Sequence, residues 1–236
     1  MARVSRPRQL RFAFRTRGGA RKGAGRPPSG SIAGVSHLRR PALSRHHPVH
    51  VTLAIGRGIG SLRGSAMFRT VRGALARARD RFGFRLVHFS VQRDHLHLLA
   101  EASDRRALSR GVQGLSIRVA KAINRRLGRR GSVFSDRYHA RALKTPREAR
   151  FALRYVLLNA RKHERGSSRI PAGFVDGRSS ACWFEGWSRP RKLAFYREAA
   201  AFGSESPVVA AKTWLLRVGF KRAGPIDPDD APVLAE

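Results

Sequence analysis

An α+β fold is predicted for this chain of 236 residues by three observations. Segments of alternating apolar and polar residues predict strands, and longer segments with apolar residues at helical spacing predict helices. Between residues 48 and 165 these patterns follow one another in the order β-α-β-β-α-β-α. A hydrophobic content of 42% is sufficient to build a core for one or two domains of this length.

The first four elements are a strand, a helix and a hairpin. Residues 49–55 alternate Val, Val, Leu and Ile with polar or small residues, which is typical of a half-buried strand. A helix is predicted over 62–82 from its apolar spacing. Residues 84–91 and 95–102 are two further strands, and the short turn 92–94 between them predicts a hairpin.

The next three elements complete the pattern. Residues 104–127 carry one apolar stripe and predict a second helix, and 133–143 are extended. Thr145-Pro146-Arg147-Glu148 is a capping box with Pro at the first helical position, so a helix should begin there and run to about His163. The prediction is a ferredoxin-like β-α-β-β-α-β antiparallel sheet with an added C-terminal helix that carries Tyr155.

Three regions are expected from the composition. Residues 1–47 are a basic tail, since residues 1–50 carry twelve Lys or Arg and no Asp or Glu, and we expect disorder and DNA binding there. Residues 48–165 are the candidate catalytic domain. Residues 166–236 are an extension that packs partly on the core, and its acidic end, 224–236, is expected to be solvated.

The charge balance points to a polyanionic partner. Lys and Arg number 49 against 15 Asp and Glu, so the formal net charge is +34. This excludes an ordinary metabolic enzyme with a neutral surface. Only seven of the basic residues are Lys, and Arg forms bidentate pairs with phosphate, which favours nucleic acid. A GC-rich genome is the alternative source of the Arg, but it does not explain the scarcity of acidic residues.

Within the tail, one segment resembles a known DNA-binding arm. Arg21-Lys22-Gly23-Ala24-Gly25-Arg26-Pro27-Pro28 is similar to an AT-hook, in which an extended Arg lies in a narrow minor groove of high negative potential. Ala24 stands where the core of a hook usually has Arg. Arg21, Lys22 and Arg26 are therefore candidate DNA-binding residues, and an unspecific basic linker is the alternative.

The single cysteine, Cys182, excludes a disulfide framework and a Cys-based zinc site, and it fits a reducing cytoplasm. No apolar run reaches the roughly 18 residues of a membrane span, so no membrane partner is expected.

Two histidines in an apolar strand are the first candidate for chemistry. Side chains alternate along a strand, so His95 and His97 point to one face with their backbones roughly 6–7 Å apart, while Leu96 points to the other. Two imidazoles in this arrangement can bind one metal ion, and a structural or solvent-facing pair is the alternative. On the capped helix, Tyr155 and Asn159 are four residues apart and share a face.

These two pieces together resemble a family. An apolar-His-apolar-His strand followed by Tyr-x-x-x-Asn on a helix is similar to the HUH single-tyrosine transposases. Tyr155-Val156-Leu157-Leu158-Asn159-Ala160-Arg161-Lys162-His163 resembles the Tyr-Ile-x-x-Asn-Pro-x-Lys-His segment of the REP-associated tyrosine transposases, with Ala160 in place of Pro. Val133 to Tyr138 also looks like the strand before their catalytic helix. The resemblance covers about residues 48–190.

The resemblance implies a transposase that nicks and rejoins single-stranded or hairpin DNA through a 5′-phosphotyrosine on Tyr155. It further implies Mg²⁺ or Mn²⁺ held by His95, His97 and Asn159, which suits two imidazoles and an amide oxygen. Arg161 and Lys162 would hold the DNA backbone, with a solvated helix end as the alternative. A cytoplasmic, nucleoid-associated protein is expected, with a homodimer as one possible state in which Tyr155 serves either its own or the partner's site.

Three alternatives remain beside this interpretation. A domesticated DNA- or hairpin-binding protein without strand transfer is the second hypothesis, although binding alone needs neither the histidine pair nor the tyrosine. An RNA phosphoesterase with two His-x-Ser/Thr motifs is disfavoured, because His95-Leu96-His97-Leu98 lacks the Ser or Thr. Tyr138 is the reserve nucleophile. His50 and His88 lie on neighbouring strands and could approach the site, but a core or surface role is expected for each.

Overall fold

The computed structural model describes residues 40–159, 173–188 and 206–230, which lie within one compact unit, 35–236. Five of the candidate DNA-binding residues fall outside these ranges: Arg21, Lys22, Arg26, Arg161 and Lys162. Their assignment therefore remains a prediction from sequence.

The described strands form a five-stranded antiparallel sheet in the order β2-β3-β4-β1-β5. In chain order the strands are β1 (Val49–Ala54), β2 (Asp80–Arg81), β3 (Phe84–Val91), β4 (His95–Ala102) and β5 (His139–Ala142). Without the two-residue β2, the sheet order is that of the predicted ferredoxin-like pattern. The α+β fold class is confirmed.

Four α-helices are found in the described part of the chain: α1 (Ser65–Ala76), α2 (Arg105–Arg126), α3 (Pro146–Leu157) and α4 (Trp214–Arg217). The capping box predicted for α3 is present, because the Thr145 hydroxyl accepts from the Glu148 N–H and the Glu148 carboxylate accepts from the Thr145 N–H. This exchange satisfies two backbone donors that a helix start otherwise leaves without partners.

The sheet has two covered faces, and alternation along β4 assigns residues to each. Leu96, Leu98 and Ala100 belong to a core beneath α1 and α2. Leu99, on the other face, belongs to a second core beneath α3 and the C-terminal segments. His95 and His97 share the face of Leu99, so α3 covers the side of the sheet that holds the two histidines.

Three element boundaries differ from the sequence prediction. The first helix is shorter than 62–82, because its chain turns after Ala76 and adds the edge strand β2. The extended segment 133–143 pairs as a strand only at its end. Helix α3 ends at Leu157, with Leu158 as its C-cap, instead of continuing unbroken to His163. The predicted helical spacing between Tyr155 and Asn159 is therefore interrupted.

Part of the acidic end is docked and not solvated, which corrects the prediction for 224–236. Ile226 is buried, and the carboxylate of Asp230 pairs with Arg154 at 3.1 Å and with Arg150 at 3.6 Å, both on α3. Opposite charges on neighbouring surfaces explain why this acidic segment lies against a basic helix. Residues 231–236 lie outside the described ranges.

The buried carboxylate of Glu101 binds the segment that contains Lys212 and Thr213 to the sheet. Glu101 of β4 accepts hydrogen bonds from the backbone N–H groups of Lys212 and Thr213 and from the Thr213 hydroxyl at 2.7–3.0 Å. The Glu101 carboxylate also forms an ion pair with Arg85 at 3.4 Å. In the described ranges, no helix is both long and apolar enough to cross a membrane.

Candidate active site

The two histidines of β4 converge on one point. The Nε2 atoms of His95 and His97 lie 2.9 Å apart, and their rings meet edge to face with centroids 4.6 Å apart. His97 is buried, while His95 is partly exposed at the end of the strand. One side of this atom pair is therefore open to a ligand and the other is enclosed.

The opposite nitrogen of each ring is held by the protein. The Nδ1 atom of His95 lies 2.7 Å from an Asp94 carboxylate oxygen, and this hydrogen bond keeps the pKa of Asp94 below its usual value. The Nδ1 atom of His97 lies 3.2 Å from the Thr52 hydroxyl and 3.3 Å from Nε2 of His50. A partner on Nδ1 fixes the ring orientation and tautomer and leaves Nε2 as a ligand atom.

The ring of Tyr155 contacts the rings of His97 and His50. Its ring is edge-on to His97, with centroids 4.9 Å apart, and edge-on to His50 at 5.7 Å. The side chain is half-buried at the margin of the core beneath α3. The site thus forms within one chain, because β1, β4 and α3 of the same molecule supply these three aromatic side chains.

Asn159 is buried just beyond the end of α3. Neither its Nδ2 nor its Oδ1 atom has a hydrogen-bond partner among the described residues. Burying an amide without a partner costs free energy, so such a group in a folded protein calls for an explanation, and an absent ligand is one. Asn159 is thereby a candidate ligand on an observation independent of its motif.

The donor set at this site fits a divalent cation. If both Nδ1 atoms donate, two Nε2 lone pairs face each other at 2.9 Å and need a shared proton or cation between them. The buried amide of Asn159 offers an oxygen of the kind such an ion takes, although it lies beyond the end of α3. Across the described residues no cluster of three or more His, Cys, Asp or Glu is arranged to hold a metal.

Three expectations for neighbouring residues are settled by the geometry. His50 is part of the site and not a core or surface residue, which corrects the prediction; β1 pairs with β4, and this brings His50 to His97. His88 does have a core role, because it is buried against Ser180 and Phe184. Tyr138, the reserve nucleophile, packs with the core beneath α1 and α2, on the face of the sheet opposite the two histidines.

Thr52 and Asp94 were not predicted as site residues, although local features of the sequence indicate both. Alternation on β1 already places Thr52 on the face of His50, and Asp94 immediately precedes His95. What the sequence lacks is the pairing of β1 with β4, which sets Thr52 directly opposite His97. That pairing joins residues 45 positions apart in the chain.

The edge strand adds positive charge beside the site. Pairing of β1 with β5 sets Arg141 opposite His50 and His139 opposite Thr52, so both share the face of the histidines. Burial lowers the pKa of His50 to about 4, and His139 and Arg141 add to this effect. His50 is therefore a neutral ring near pH 7, next to an exposed cationic edge.

Comparison with known protein families places this fold and site beside one family. Residues 47–157 match the family described as "Transposase IS200 like". The match spans 111 of the 236 residues, so this region of the chain is similar to that family. It includes His50, His95, His97 and Tyr155, whereas Asn159 lies two residues beyond the match.

A solved structure extends the likeness. The chain is similar to a REP-associated tyrosine transposase that was solved bound to a REP hairpin, with 15% sequence identity and a TM-score of 0.50. The similarity covers 75% of this chain and 99% of that one. At this identity the likeness shows the fold. No curated protein matches the chain.

Proposed function

We propose that this protein is a metal-dependent DNA transposase of the single-tyrosine type, which cleaves and rejoins single-stranded or hairpin DNA. One observation carries the proposal: Tyr155 lies edge-on to His97, whose Nε2 atom converges with that of His95 at 2.9 Å. A nucleophile beside a site for charge neutralisation is what phosphodiester cleavage needs. The DNA partner is supported by the net charge of +34 and the transposase family.

The covalent step is a transesterification. The Tyr155 oxygen forms a bond to the phosphorus, and the bond from phosphorus to the 3′ oxygen breaks. The product is a 5′-phosphotyrosine and a free 3′-OH, so the proton lost by the phenol is balanced by the proton gained at the 3′ oxygen. Because the phosphoester is kept on Tyr155, rejoining requires no nucleotide cofactor.

The chain's own residues prepare the site for this step. Asp94 and Thr52 hold the Nδ1 sides of His95 and His97, so both Nε2 atoms face the position of the phosphate. A Mg²⁺ or Mn²⁺ ion held there by His95, His97 and Asn159 would polarise the scissile phosphate and stabilise the leaving oxygen. His139 and Arg141 at the edge strand are suited to hold the backbone on either side of that phosphate.

The remaining expectations are part of the same proposal. Arg161, Lys162 and the basic tail residues Arg21, Lys22 and Arg26 would add backbone contacts to the DNA. A protein that acts on DNA is expected to work at the nucleoid in the cytoplasm. Tyr155 acts on the histidines of its own chain, so a homodimer, if it forms, is not needed to assemble the site.

The experiment is a search for the covalent intermediate. The protein is mixed with labelled single-stranded hairpins from the DNA flanking its own gene, with Mn²⁺ or Mg²⁺, and resolved on a denaturing gel. A shifted band should form with the wild type and be absent in Tyr155→Phe. Tyr138→Phe is the matched control and should keep the band, since Tyr138 lies on the other face of the sheet.

The metal ligands are tested in the same assay. His95→Ala, His97→Ala or a chelator should abolish the band, while binding to the hairpin stays within a few-fold. A band that persists in Tyr155→Phe overturns the nucleophile assignment. Tight hairpin binding without any band, for wild type and variants alike, would instead identify a binding protein without strand transfer.

A further inference from the structure

The outward side of α2 carries a row of cations. Arg106, Arg110, Lys121 and Arg125 are exposed and lie on one side of the helix, within about a quarter to a third of its circumference. We name these four residues the α2 stripe. No Asp or Glu occurs anywhere in Arg105–Arg126, although the helix holds seven Lys or Arg. Arg106 and Arg125 are 19 positions apart, or about 28 Å at 1.5 Å per residue.

This row is unfavourable for the isolated protein. Arg106 and Arg110, and likewise Lys121 and Arg125, are like charges at i and i+4, which repel each other on a helix. None of the described salt bridges involves the α2 stripe. A linear polyanion laid along the helix would remove the repulsion and release its own counterions.

The stripe faces away from the candidate active site. The opposite side of α2 packs Leu108, Val112 and Leu115 into the core beneath α1 and α2. His95, His97 and Tyr155 lie on the other face of the sheet. A nucleic acid on the α2 stripe is therefore separated from the cleaved strand by the thickness of the sheet and one helix layer.

The described chain begins at the N-terminal end of this stripe. The Arg40 carbonyl accepts a hydrogen bond of 3.2 Å from Arg105 Nη1, at the first turn of α2. Arg40 also stacks on Tyr138, with its guanidinium carbon 3.6 Å from the ring centre. Residues 1–39, which precede this point, carry ten Lys or Arg and no acidic residue. The described chain thus starts beside the first turn of α2.

We propose that the α2 stripe is a docking surface for the phosphate backbone of duplex DNA that flanks the cleaved strand. The choice of DNA as the occupant rests on the proposed function. The stripe itself consists of cations, with Gln113 and the exposed Ile117 beside them, and we expect these cations to contact phosphates, so binding should be independent of sequence. It would hold the protein on the duplex while the opposite face works on the single strand.

The test compares two neutralised variants of the full chain. In one, Arg106→Gln, Arg110→Gln, Lys121→Gln and Arg125→Gln are combined. The control removes the same charge from the exposed C-terminal segment: Lys212→Gln, Arg217→Gln, Lys221→Gln and Arg222→Gln. Binding to a short blunt duplex of arbitrary sequence is measured over a range of salt concentrations. Thermal unfolding of each variant verifies that it is folded.

The α2 variant should show a shallower dependence of log K on log salt, by about 0.9 for each phosphate group that the protein no longer neutralises. The control should stay near the wild-type slope. Equal slopes for wild type and the α2 variant, or an equal reduction of slope in both variants, would overturn the proposal. The proposal would also be overturned if the α2 variant lost binding to anionic vesicles but bound the duplex as the wild type does. The adduct assay on the wild type reports separately on the cleavage chemistry, because it uses no duplex flank.

Discussion

The ring of Tyr155 lies edge-on to the ring of His97, with centroids 4.9 Å apart and ring planes at 75°. The two residues belong to different elements, and α3 packs on the sheet through the buried residues Ala149, Leu153 and Val156. Edge-to-face contact of this kind favours one orientation of both rings. The position of the candidate nucleophile is therefore set by the core beneath α3.

Thr52 should affect the metal affinity of the site through its contact with His97. In Thr52→Val the strand keeps a β-branched residue, but His97 Nδ1 loses a hydroxyl partner at 3.2 Å. We expect the affinity for Mn²⁺ to fall about 10- to 100-fold, as for other outer contacts of metal-binding histidines. Titration calorimetry without DNA measures this, and Thr52→Ser should restore most of the affinity. Equal affinities for the valine variant and the wild type would contradict the role.

The buried side chain of Asn159 should lower the stability of the folded protein. Its buried amide lacks hydrogen-bond partners among the described residues, so Asn159→Leu should raise the free energy of unfolding by about 1–3 kcal/mol in the absence of metal. The same variant should bind metal more weakly. Urea unfolding gives the first quantity. Asn124→Leu is the control and should gain less stability, because Asn124 Oδ1 also lacks a partner but its Nδ2 donates a 2.8 Å hydrogen bond to Gly131. A less stable Asn159→Leu protein would refute the prediction.

His88 should make the protein sensitive to acid. Burial lowers its pKa to about 3, whereas the unfolded chain binds the proton near the ordinary value of about 6.5. Between these two values the unfolded state binds more protons than the folded state, so stability falls as pH falls, by up to about 1.4 kcal/mol per pH unit. His88→Gln should flatten this part of the pH profile. The exposed His46→Gln serves as control, and a profile unchanged by His88→Gln would disprove the assignment.

Two glycines of α2 should respond in opposite ways to alanine. A Cβ on Gly111 would lie 2.1 Å from the Phe84 ring, which is fully buried, so Gly111→Ala should destabilise the protein by about 1–3 kcal/mol or more. At Gly114 the nearest atom is the flexible end of Arg118 at 3.1 Å. There the better helix propensity of Ala should stabilise by up to about 1 kcal/mol. Urea unfolding of both variants checks this, and equal effects would show that α2 is not seated on Phe84.

The sequence was sufficient for the elements whose signals are local. Strands β3 and β4 have the predicted bounds, and Thr145 and Glu148 form the predicted cap. The end of α3 was not predictable in this way, because no Gly or Pro marks Leu158. The docking of Asp230 on Arg154 also escaped prediction, since it joins residues 76 positions apart through charge complementarity.

The residues of the candidate site were likewise predictable only in part. His95, His97, Tyr155 and Asn159 were identified because their spacing resembles that of a family. His50 was given a core or surface role, because only the pairing of β1 with β4 brings it to His97. The surroundings of a site are formed by tertiary contacts, and a single sequence carries little information on these.

Strand β4 buries leucines on one side and presents the two imidazoles on the other, and the turn 92–94 sets which residue faces which side. Removing one residue from that turn would turn Leu96 and Leu98 towards Tyr155 and drive His95 and His97 into the apolar core. Folding and chemistry would then fail together. Over evolutionary time, changes in the length of this hairpin should therefore be eliminated as folding defects before they can alter the reaction, and new sequence should accumulate at the ends of the chain.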